Sequence, residues 1–340
     1  MNWNEITKEA KDKLKGYCRV CSVCDGRMCA GEVPGMGGVG SGESFKANLN
    51  ALQQYRLRMR AVHEVKEPVT SFQLWAKKLS MPIMAAPMTG TTYNMGGQLS
   101  EQEFVNNIIS GSIEAGTIGF CGDGADPAMF DSGVSAINNN AGQGIPIIKP
   151  RAQEEIIKRI KNAEKAGAVA VGVDIDGAGL VTMALKGQAV GPKDKNEIKE
   201  LVQSTSLPFI LKGVMTVEDA LDALEAGVSA IVVSNHGGRV LDHTPGAAEV
   251  LPEISDLVRG RMLVLADGGV RSGSDVLKLL ALGADAVLVG RPLITGAFGG
   301  GKEGVSFVLD KYRQELVQAM LLTGVPDVEN VWPGILDYKG

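Results

Sequence analysis

The chain has 340 residues, of which 44% are hydrophobic and 21% charged, a balance typical of one large or two modest globular domains. Its net charge of −5 argues against nucleic acid as the main partner. The sequence has no apolar run long enough to span a membrane and no signal-peptide pattern over residues 1–5, so we expect a cytoplasmic protein without a membrane partner.

The first motif along the chain is a run of four cysteines, Cys18, Cys21, Cys24 and Cys29, spaced as C-x2-C-x2-C-x4-C. Disulfides are uncommon in cytoplasmic enzymes, and four thiolates at this density suit zinc or an iron–sulfur cluster. The spacing is close to that of a ferredoxin, although its last gap is longer and no proline follows, and it favours a cluster over zinc. Free thiols in a flexible arm are the alternative.

A glycine-rich stretch, 31–42, comes next and predicts a hinge or a loop packed close to a ligand. Residues 45–62 then predict a helix that leads into the main domain. Near the other end, residues 305–322 predict the last helix of that domain. We expect the tail after Pro326, which carries Trp332, to pack on the surface or against a neighbouring subunit.

Eight short apolar segments predict buried strands, and helical patterns separate most of them. The predicted strands are 82–88, 117–121, 146–149, 169–176, 208–212, 230–235, 262–267 and 286–290. Eight strand–helix units over roughly 230 residues are typical of a (β/α)8 TIM barrel, and a doubly wound open sheet is the runner-up. We therefore divide the chain into an N-terminal Cys/Gly-rich extension (1–65), a barrel domain (66–325) and a C-terminal tail (326–340).

An internal repeat in the second half of the chain supports the barrel. Thr216 and Ser272 open two similar apolar patterns as predicted N-caps, each followed three positions later by an aspartate. Gly227 and Gly283 follow the last helical turn of each pattern, where a glycine commonly ends a helix. A short apolar strand comes after each glycine, so both units have the order helix, turn, strand.

Polar and ionisable residues follow nearly every predicted strand, although the strands themselves are apolar. The site of a barrel enzyme lies where its strands end, so we expect these residues to meet at one rim. A single one of them is most simply a solvated loop charge, but their recurrence predicts a site. The rim residues are Met88, Thr89, Gly122, Asp123, Lys149, Asp174, Asp176, Lys212, His236, Arg239, Asp267 and Arg291.

Two glycine-containing loops at this rim predict a phosphate-binding site. The loop 267–271, Asp-Gly-Gly-Val-Arg, follows the seventh strand and opens a helix, and Gly290 and Arg291 follow the eighth. Barrels often hold a phosphate between these two loops through backbone N–H groups and a helix N-terminus, and arginines add charge-assisted contacts. The sequence therefore predicts a cofactor that carries a phosphate; otherwise the glycines serve only to form tight turns.

His236 and Arg239 flank two glycines after the strand 230–235. A histidine can move a proton near neutral pH, and an arginine can hold a carboxylate or phosphate through two parallel hydrogen bonds. Asp176 is placed to pair with His236 and to stabilise its protonated form. Lys212 has three readings: an ammonium group that stabilises charge on a cofactor, a Schiff-base lysine of an aldolase, or a partner in a structural ion pair.

The run 234–242, Ser-Asn-His-Gly-Gly-Arg-Val-Leu-Asp, is similar to the active-site signature of the FMN-dependent 2-hydroxy acid oxidases and dehydrogenases, which include glycolate oxidase, lactate oxidase and mandelate dehydrogenase. The resemblance extends from 79 to 324 and is strongest over 208–292. The segments 210–214, 267–271 and 290–292 fall at the spacing of that family. The resemblance implies a (β/α)8 barrel that binds FMN and oxidises a 2-hydroxy acid, and a homotetramer or larger assembly.

The resemblance also implies roles for the rim residues. His236 would take a proton from the substrate, and Asp176 would stabilise the resulting imidazolium. Arg239 would hold the substrate carboxylate, and Lys212 would face the N1–C2=O edge of the flavin. The residues implied to bind FMN are Pro87, Met88, Thr89, Gly122, Asp174, Lys212, Ser234, Gly237, Asp267, Gly268, Gly269, Val270, Arg271, Gly290 and Arg291.

Three groups of that family's substrate pocket are absent from this chain. A tyrosine before the barrel has no counterpart around 34–40, and a second tyrosine falls near Ile147 or Ile148. An arginine that follows the aspartate of the fourth strand is also missing, since the chain reads Asp-Gly-Ala-Gly-Leu over 176–180. The substrate is therefore left open: a small 2-hydroxy acid, a larger one, or a related α-hydroxy carbonyl compound held by the glycine-rich stretch.

Two other functions remain as alternatives. Met88, Thr89 and Gly90 are also similar to a segment of the type 2 isopentenyl diphosphate isomerases, which are FMN barrels without the His-Gly-Gly-Arg signature. A flavin or redox sensor without turnover is the other. An iron–sulfur cluster at the four cysteines would offer electrons an outlet that avoids oxygen, and it would favour a dehydrogenase over an oxidase.

Overall fold

A computed structural model describes residues 1–339 of the chain. The segments ahead of the barrel are α1 (Trp3–Lys13), a 3₁₀ helix (Arg27–Cys29), α2 (Glu43–Gln54), β1 (Tyr55–Leu57), β2 (Phe72–Leu74) and β3 (Lys77–Leu79). The strands β2 and β3 form an antiparallel pair, and their side chains Phe72, Leu74 and Leu79 pack on residues of the barrel interior. This hairpin therefore forms part of the barrel core.

Eight parallel strands close into one barrel in chain order, with the last strand paired to the first. They are β4 (Ile83–Met88), β5 (Gly119–Cys121), β6 (Gly144–Ile148), β7 (Val171–Asp174), β8 (Phe209–Val214), β9 (Ala230–Val233), β10 (Leu263–Ala266) and β11 (Ala286–Val289). The predicted TIM barrel and all eight of its strands are confirmed, with no strand end shifted by more than two residues. The interior is filled by alternate strand residues such as Met84, Phe120 and Leu288, so it is a packed core.

Helices surround the barrel. After β4 come α3 (Thr91–Asn94), α4 (Glu101–Glu114), α5 (Pro127–Asn139), α6 (Gln153–Lys165), a 3₁₀ turn (Ile175–Gly179), α7 (Val181–Leu185), α8 (Lys195–Gln203), α9 (Val217–Glu225), α10 (Ala247–Val258), α11 (Gly273–Ala281) and α12 (Arg291–Thr323). The helix α12 is broken at Gly301, where φ is 61°, and its second half contains the predicted helix 305–322. None of the helices within residues 1–339 has the length and apolarity that a membrane span requires.

The predicted caps explain why two of these helices begin and end where they do. The hydroxyl oxygen of Thr216 accepts a hydrogen bond from the Asp219 N–H at 3.1 Å, as an N-cap does. Ser272 caps α11 in the same way. Gly227 and Gly283 follow α9 and α11 with φ of 86° and 111°, so both adopt a left-handed backbone that suits glycine.

The predicted helix 45–62 is wrong beyond Gln54. From Tyr55 the chain turns extended and pairs antiparallel with β12 (Leu336–Tyr338), where Tyr55 lies opposite Tyr338 with ring centroids 5.3 Å apart. Two short 3₁₀ helices, Val328–Asn330 and Pro333–Ile335, precede this strand. Pairing between segments so distant in sequence leaves no local sign of a strand, so nothing near Gln54 in the sequence marks the end of the helix.

Candidate active site

One cavity opens at the carboxyl ends of the barrel strands and brings most of the predicted site residues together. Those that line it are Pro87, Met88, Thr89, Gly122, Asp123, Lys149, Asp174, Lys212, His236, Gly237, Arg239, Asp267, Gly268, Gly269, Val270, Arg271, Gly290 and Arg291. Two predicted residues lie just behind its wall. Asp176 contacts the His236 ring, and the Ser234 hydroxyl accepts a hydrogen bond from Lys212 Nζ at 3.1 Å.

His236 is held by two carboxylates, one at the last residue of β7 and one in the 3₁₀ turn that follows it. Its Nδ1 atom lies 2.9 Å from Asp176 Oδ1 and 3.4 Å from Asp174 Oδ2. Because an ionised carboxylate only accepts hydrogen bonds, Nδ1 carries the proton, so the lone pair of the neutral ring lies on Nε2. His236 also has φ of 59°, an uncommon left-handed conformation that places its side chain in the cavity wall. The ring is therefore oriented to act as a base.

Lys212 is a buried ammonium group among acidic side chains. Its Nζ lies 3.3 Å from Asp174 Oδ1 and 3.9 Å from Asp267 Oδ2. Burial opposes the charge, but the nearby carboxylates outweigh it and raise the pKa of Lys212 above its usual value. A Schiff-base lysine must lose its proton to attack a carbonyl, so this environment argues against the aldolase reading and for a permanent positive charge.

Asp174 has a second cation beside it. The Lys149 ammonium, itself buried, pairs with Asp174 Oδ2 on the side away from Lys212. Although burial opposes ionisation, the two ammonium groups and His236 hold the pKa of Asp174 well below its usual range. Burial and the neighbouring Asp174 charge raise the pKa of Asp176 instead. The carboxylate next to the lysines thus keeps its charge more firmly than the one that orients His236.

Three arginines converge at the other end of the cavity, and none has a carboxylate partner within the described residues. Arg239 donates to the carbonyl oxygens of Gly35 and Gly37, and Arg291 donates to those of Met36 and Gly37. Burial, together with Arg239 and Arg271, lowers the pKa of Arg291 to about 9. An anion bound between these guanidinium groups would relieve their mutual repulsion.

The glycine-rich stretch supplies part of the cavity wall. Gly35 and Met36 both line the cavity. Two hydrogen bonds tie this segment to the loop after β9: the Val39 N–H donates to the Gly238 carbonyl at 2.9 Å, and the Arg239 side chain donates to the Gly35 carbonyl. The N-terminal extension therefore packs over the barrel rim.

Several residues that shape the cavity were not predicted. Tyr93 and Asn94 on α3 line it, and Asn94 Oδ1 accepts a hydrogen bond from Arg239 Nη2 at 3.1 Å. The Glu101 carboxylate accepts from the N–H groups of Gly90 and Thr91 and fixes the loop after β4. A short Thr-Thr-Tyr-Asn segment after the first barrel strand was the one available hint.

A further missed residue, Asn48 on α2, joins the extension to two rim loops. Its Nδ2 donates to Asn235 Oδ1 at 2.7 Å, and its Oδ1 accepts from the Ala247 N–H at 3.0 Å. A Cβ atom added at Gly268 would lie 2.5 Å from the same Asn48 oxygen. That glycine is thus required by helix packing, in addition to any contact with a phosphate.

The four cysteines lie together beside the arginine end of the cavity. They line a second cavity, and Arg271 donates to the Cys24 sulfur at 3.4 Å and to the Cys24 carbonyl at 3.2 Å. All four thiols are free, and burial raises the pKa of Cys18 and Cys29. The Arg271 side chain, predicted for a phosphate, therefore contacts the cysteine segment.

Comparisons with known proteins point to flavin-dependent oxidoreductases, the class that the sequence resembles. A family model for FMN-dependent dehydrogenases matches residues 35–189 and 181–338. A peroxisomal (S)-2-hydroxyacid oxidase of Arabidopsis thaliana is 33% identical over 329 residues, covering 87% of this chain and 88% of the relative. A 2-hydroxyacid oxidase of Dictyostelium discoideum is 35% identical over 319 residues, covering 84% of this chain and 80% of the relative.

Solved structures give the same result. A mandelate oxidase crystallised with 3,3-difluoro-2-hydroxy-3-phenylpropionic acid superposes with a TM-score of 0.78 at 27% identity, covering 98% of this chain and 97% of that one. A flavocytochrome b2 variant superposes with a TM-score of 0.77, also at 27% identity, over 88% of this chain and 80% of that one. The likeness therefore spans the extension as well as the barrel.

Proposed function

Because the chain belongs to the FMN-dependent dehydrogenase family, we propose that it oxidises a 2-hydroxy acid to the corresponding 2-oxo acid with His236 as the base. The observation that carries this proposal is the His236–Asp176 contact, which leaves Nε2 of a properly oriented imidazole at the cavity wall. The oxidation removes two electrons and two protons from the carbon and hydroxyl of the substrate. FMN, when bound, supplies the two-electron acceptor for this chemistry.

The residues of the cavity fit FMN. Asp267 Oδ1 is buried without a hydrogen-bond partner, so the wall holds an acceptor that a polar ligand would satisfy. Lys212 supplies a permanent positive charge, which would stabilise negative charge on a reduced flavin. Arg271 and Arg291, which have no carboxylate partner within the described residues, would hold its phosphate together with the N–H groups of the loop 268–271.

His236, Asp176 and Arg239 have separate roles toward the substrate. His236 Nε2 accepts a proton from the substrate, and Asp176 stabilises the imidazolium that results. Arg239, anchored by Gly35 and Asn94, keeps N–H donors for the substrate carboxylate. The alternatives weighed from the sequence have less support: none of the relatives named above is an isomerase, and a sensor would not need an oriented base.

The substrate that we propose carries an apolar side chain. Two tyrosines of the family's substrate pocket have no counterpart in this chain. The cavity wall instead includes the buried side chains of Met36, Met129 and Leu180. An apolar wall gains free energy from contact with methylene groups and gains nothing from glycolate, which has no side chain. Location in the cytoplasm, a homotetramer or larger assembly and a metal group at the four cysteines stay predictions of the sequence.

The test is a visible absorption spectrum of the full chain purified without air, recorded before and after addition of 2-hydroxy acids. We expect two resolved flavin bands that bleach when L-lactate or mandelate is added. A protein without flavin would refute FMN binding. Flavin bands that no 2-hydroxy acid bleaches would refute the substrate class and leave FMN binding in place.

A further inference from the structure

The four-cysteine segment forms a second cavity that shares a wall with the active site. Cys18, Cys21, Cys24 and Cys29 all line this cavity, whose volume is about 1000 Å³. Met36, Arg271 and Arg291 line both cavities. A group bound among the thiols would therefore be separated from the active site by a single layer of side chains.

Two of the sulfur atoms already accept hydrogen bonds of the kind that stabilise thiolates. The Val20 N–H donates to Cys18 Sγ at 3.4 Å, and Arg271 Nη2 donates to Cys24 Sγ at the same distance. Val20 has φ of 43°, a conformation that a β-branched residue seldom adopts, and this turn directs its N–H at the sulfur. Hydrogen bonds to cysteine sulfur are a recurrent part of metal–thiolate sites.

The charge of the cavity wall is positive. Four of its cations, Lys8, Lys11, Arg271 and Arg291, have no carboxylate partner within residues 1–339, whereas Asp25 is the one acidic residue of the lining. Four thiolates around a metal centre carry net negative charge, which these cations would balance. Four neutral thiols would leave the positive charge uncompensated.

The distances between the sulfur atoms distinguish a site for a single zinc ion from a site for an iron–sulfur cluster. A tetrahedral zinc site, with zinc–sulfur bonds of about 2.3 Å, brings its four sulfurs to about 3.8 Å from one another. Among the described residues, no three of these sulfurs lie within 4.8 Å of one another. An iron–sulfur cluster holds its thiolates farther apart because its own iron and sulfide atoms lie between them.

We propose that Cys18, Cys21, Cys24 and Cys29 bind a four-iron iron–sulfur cluster, and that this cluster anchors the segment covering the active site. This proposal goes beyond the oxidation of a 2-hydroxy acid and does not depend on it.

The contacts that follow Cys29 explain the anchoring. The Cys29 carbonyl lies so close to Gly37 that a Cβ atom added there would be 1.8 Å from it. Gly35 and Gly37 in turn accept hydrogen bonds from Arg239, and Gly37 accepts another from Arg291. Fixing Cys29 therefore fixes the backbone that holds both arginines in place.

Iron and acid-labile sulfide in the full chain, purified without air, test the first half of the proposal. We expect about four of each per chain, and their loss in Cys24→Ser and in Cys21→Ser. Cys121→Ala is the matched control, since Cys121 lies buried in the barrel away from the four cysteines, and this variant should keep its iron and sulfide. Cys21 is exposed, so its variant should fold even if Cys24→Ser does not. Zinc in place of iron, or no iron after reconstitution with ferrous iron and sulfide, would overturn the cluster.

Trypsin cleavage tests the anchoring. Arg27 lies between the cysteines, and its side chain is 80% exposed, so it is a ready cleavage site once the loop opens. We expect cleavage there to become roughly tenfold faster after a chelator removes the cluster, because local opening governs the rate. An unchanged rate would refute the anchoring role. Both measurements are independent of flavin content and turnover, so their failure would leave the proposed oxidation untouched.

Discussion

The Nδ1 atom of His236 lies 2.9 Å from Oδ1 of Asp176, although the two residues are 60 positions apart in the chain. Asp176 stands in the 3₁₀ turn after β7, and His236 follows β9. The loops at the carboxyl ends of the barrel strands bring them together. The contact determines which imidazole nitrogen is left for the substrate.

Replacing His236 with Asn should remove the base and leave the cavity intact. We expect kcat to fall by about 10²–10⁴-fold, the usual contribution of a positioned general base, while bound FMN stays at the wild-type level. Flavin content and the reductive half-reaction, followed by rapid mixing with substrate, measure the two effects separately. Wild-type reduction rates in a variant that retains flavin would contradict the base role.

Asp176→Asn and Asp176→Ala should differ from each other. The Asn oxygen can still accept the Nδ1 hydrogen bond, so that variant keeps the ring orientation and loses only the charge that stabilises imidazolium. We expect it to lose about 10–100-fold in kcat, and the Ala variant to lose more because orientation is lost too. Equal activity in the two variants would show that Asp176 acts through charge alone.

Lys212→Met should destabilise the protein most at neutral pH. Removing the ammonium leaves the buried Asp174 and Asp267 carboxylates less compensated, at a cost of about 3–5 kcal/mol. The lowered pKa of Asp174 contributes stability above about pH 4, the pKa of an unfolded aspartate, and that contribution disappears as the pH falls. Urea unfolding at about pH 7 and about pH 2 measures this, because the Asp174 contribution is lost only as the pH falls through its lowered folded-state pKa. The difference in unfolding free energy between the variant and the wild type should be smaller at the lower pH. Lys212→Arg, which keeps the charge, is the control.

If the substrate carries an apolar side chain, kcat/KM should rise with the length of that side chain. Each methylene buried against Met36, Met129 and Leu180 contributes about 0.8 kcal/mol, or about fourfold in kcat/KM. We therefore expect kcat/KM to rise from glycolate through L-lactate to 2-hydroxyoctanoate, and Leu180→Ala to flatten the series. Glycolate as the best substrate would show that the apolar wall does not contact the substrate.

The barrel and its rim could be predicted because the signals for both lie in short stretches of the sequence. A strand such as Ala230–Val233 is an apolar run, an N-cap such as Thr216 precedes its helix, and the polar residues stand directly after each strand. Barrel closure then brings those strand ends together without further information. For this reason His236, Lys212 and Asp174 could be assigned to one cavity from the sequence alone.

The contacts of the N-terminal extension could not be predicted, because they join segments far apart in sequence. Asn48 meets Asn235 across 187 positions, and nothing around either residue marks the partner. Tyr55 lies in a strand only because Tyr338 pairs with it. A polar residue on a helix and a tyrosine after it are both compatible with a longer helix until tertiary pairing decides otherwise.

We expect Asp242 to determine how stably the N-terminal extension packs over the active site. Its carboxylate accepts hydrogen bonds from the Ser41 hydroxyl and from the N–H groups of Glu43 and Ser44, so it caps α2 from the loop that carries His236. Although partial desolvation opposes ionisation, these donors hold the pKa of Asp242 well below its usual value. The stabilisation is therefore present above about pH 4, the pKa of an unfolded aspartate, and is lost only in stronger acid.

Asp242→Asn presents an amide to the same N–H donors and should destabilise the closed extension at neutral pH by about 1 kcal/mol, the usual effect of losing a helix cap. We expect faster trypsin cleavage at Arg27 and weaker FMN binding at pH 7, with the difference from wild type shrinking as the pH falls below 4. Asp337→Asn is the matched control, because that carboxylate pairs with Arg58 at a mostly exposed site. Equal cleavage rates in Asp242→Asn and Asp337→Asn would show that α2 is held by Asn48 and its packing contacts, with no contribution from the Asp242 charge.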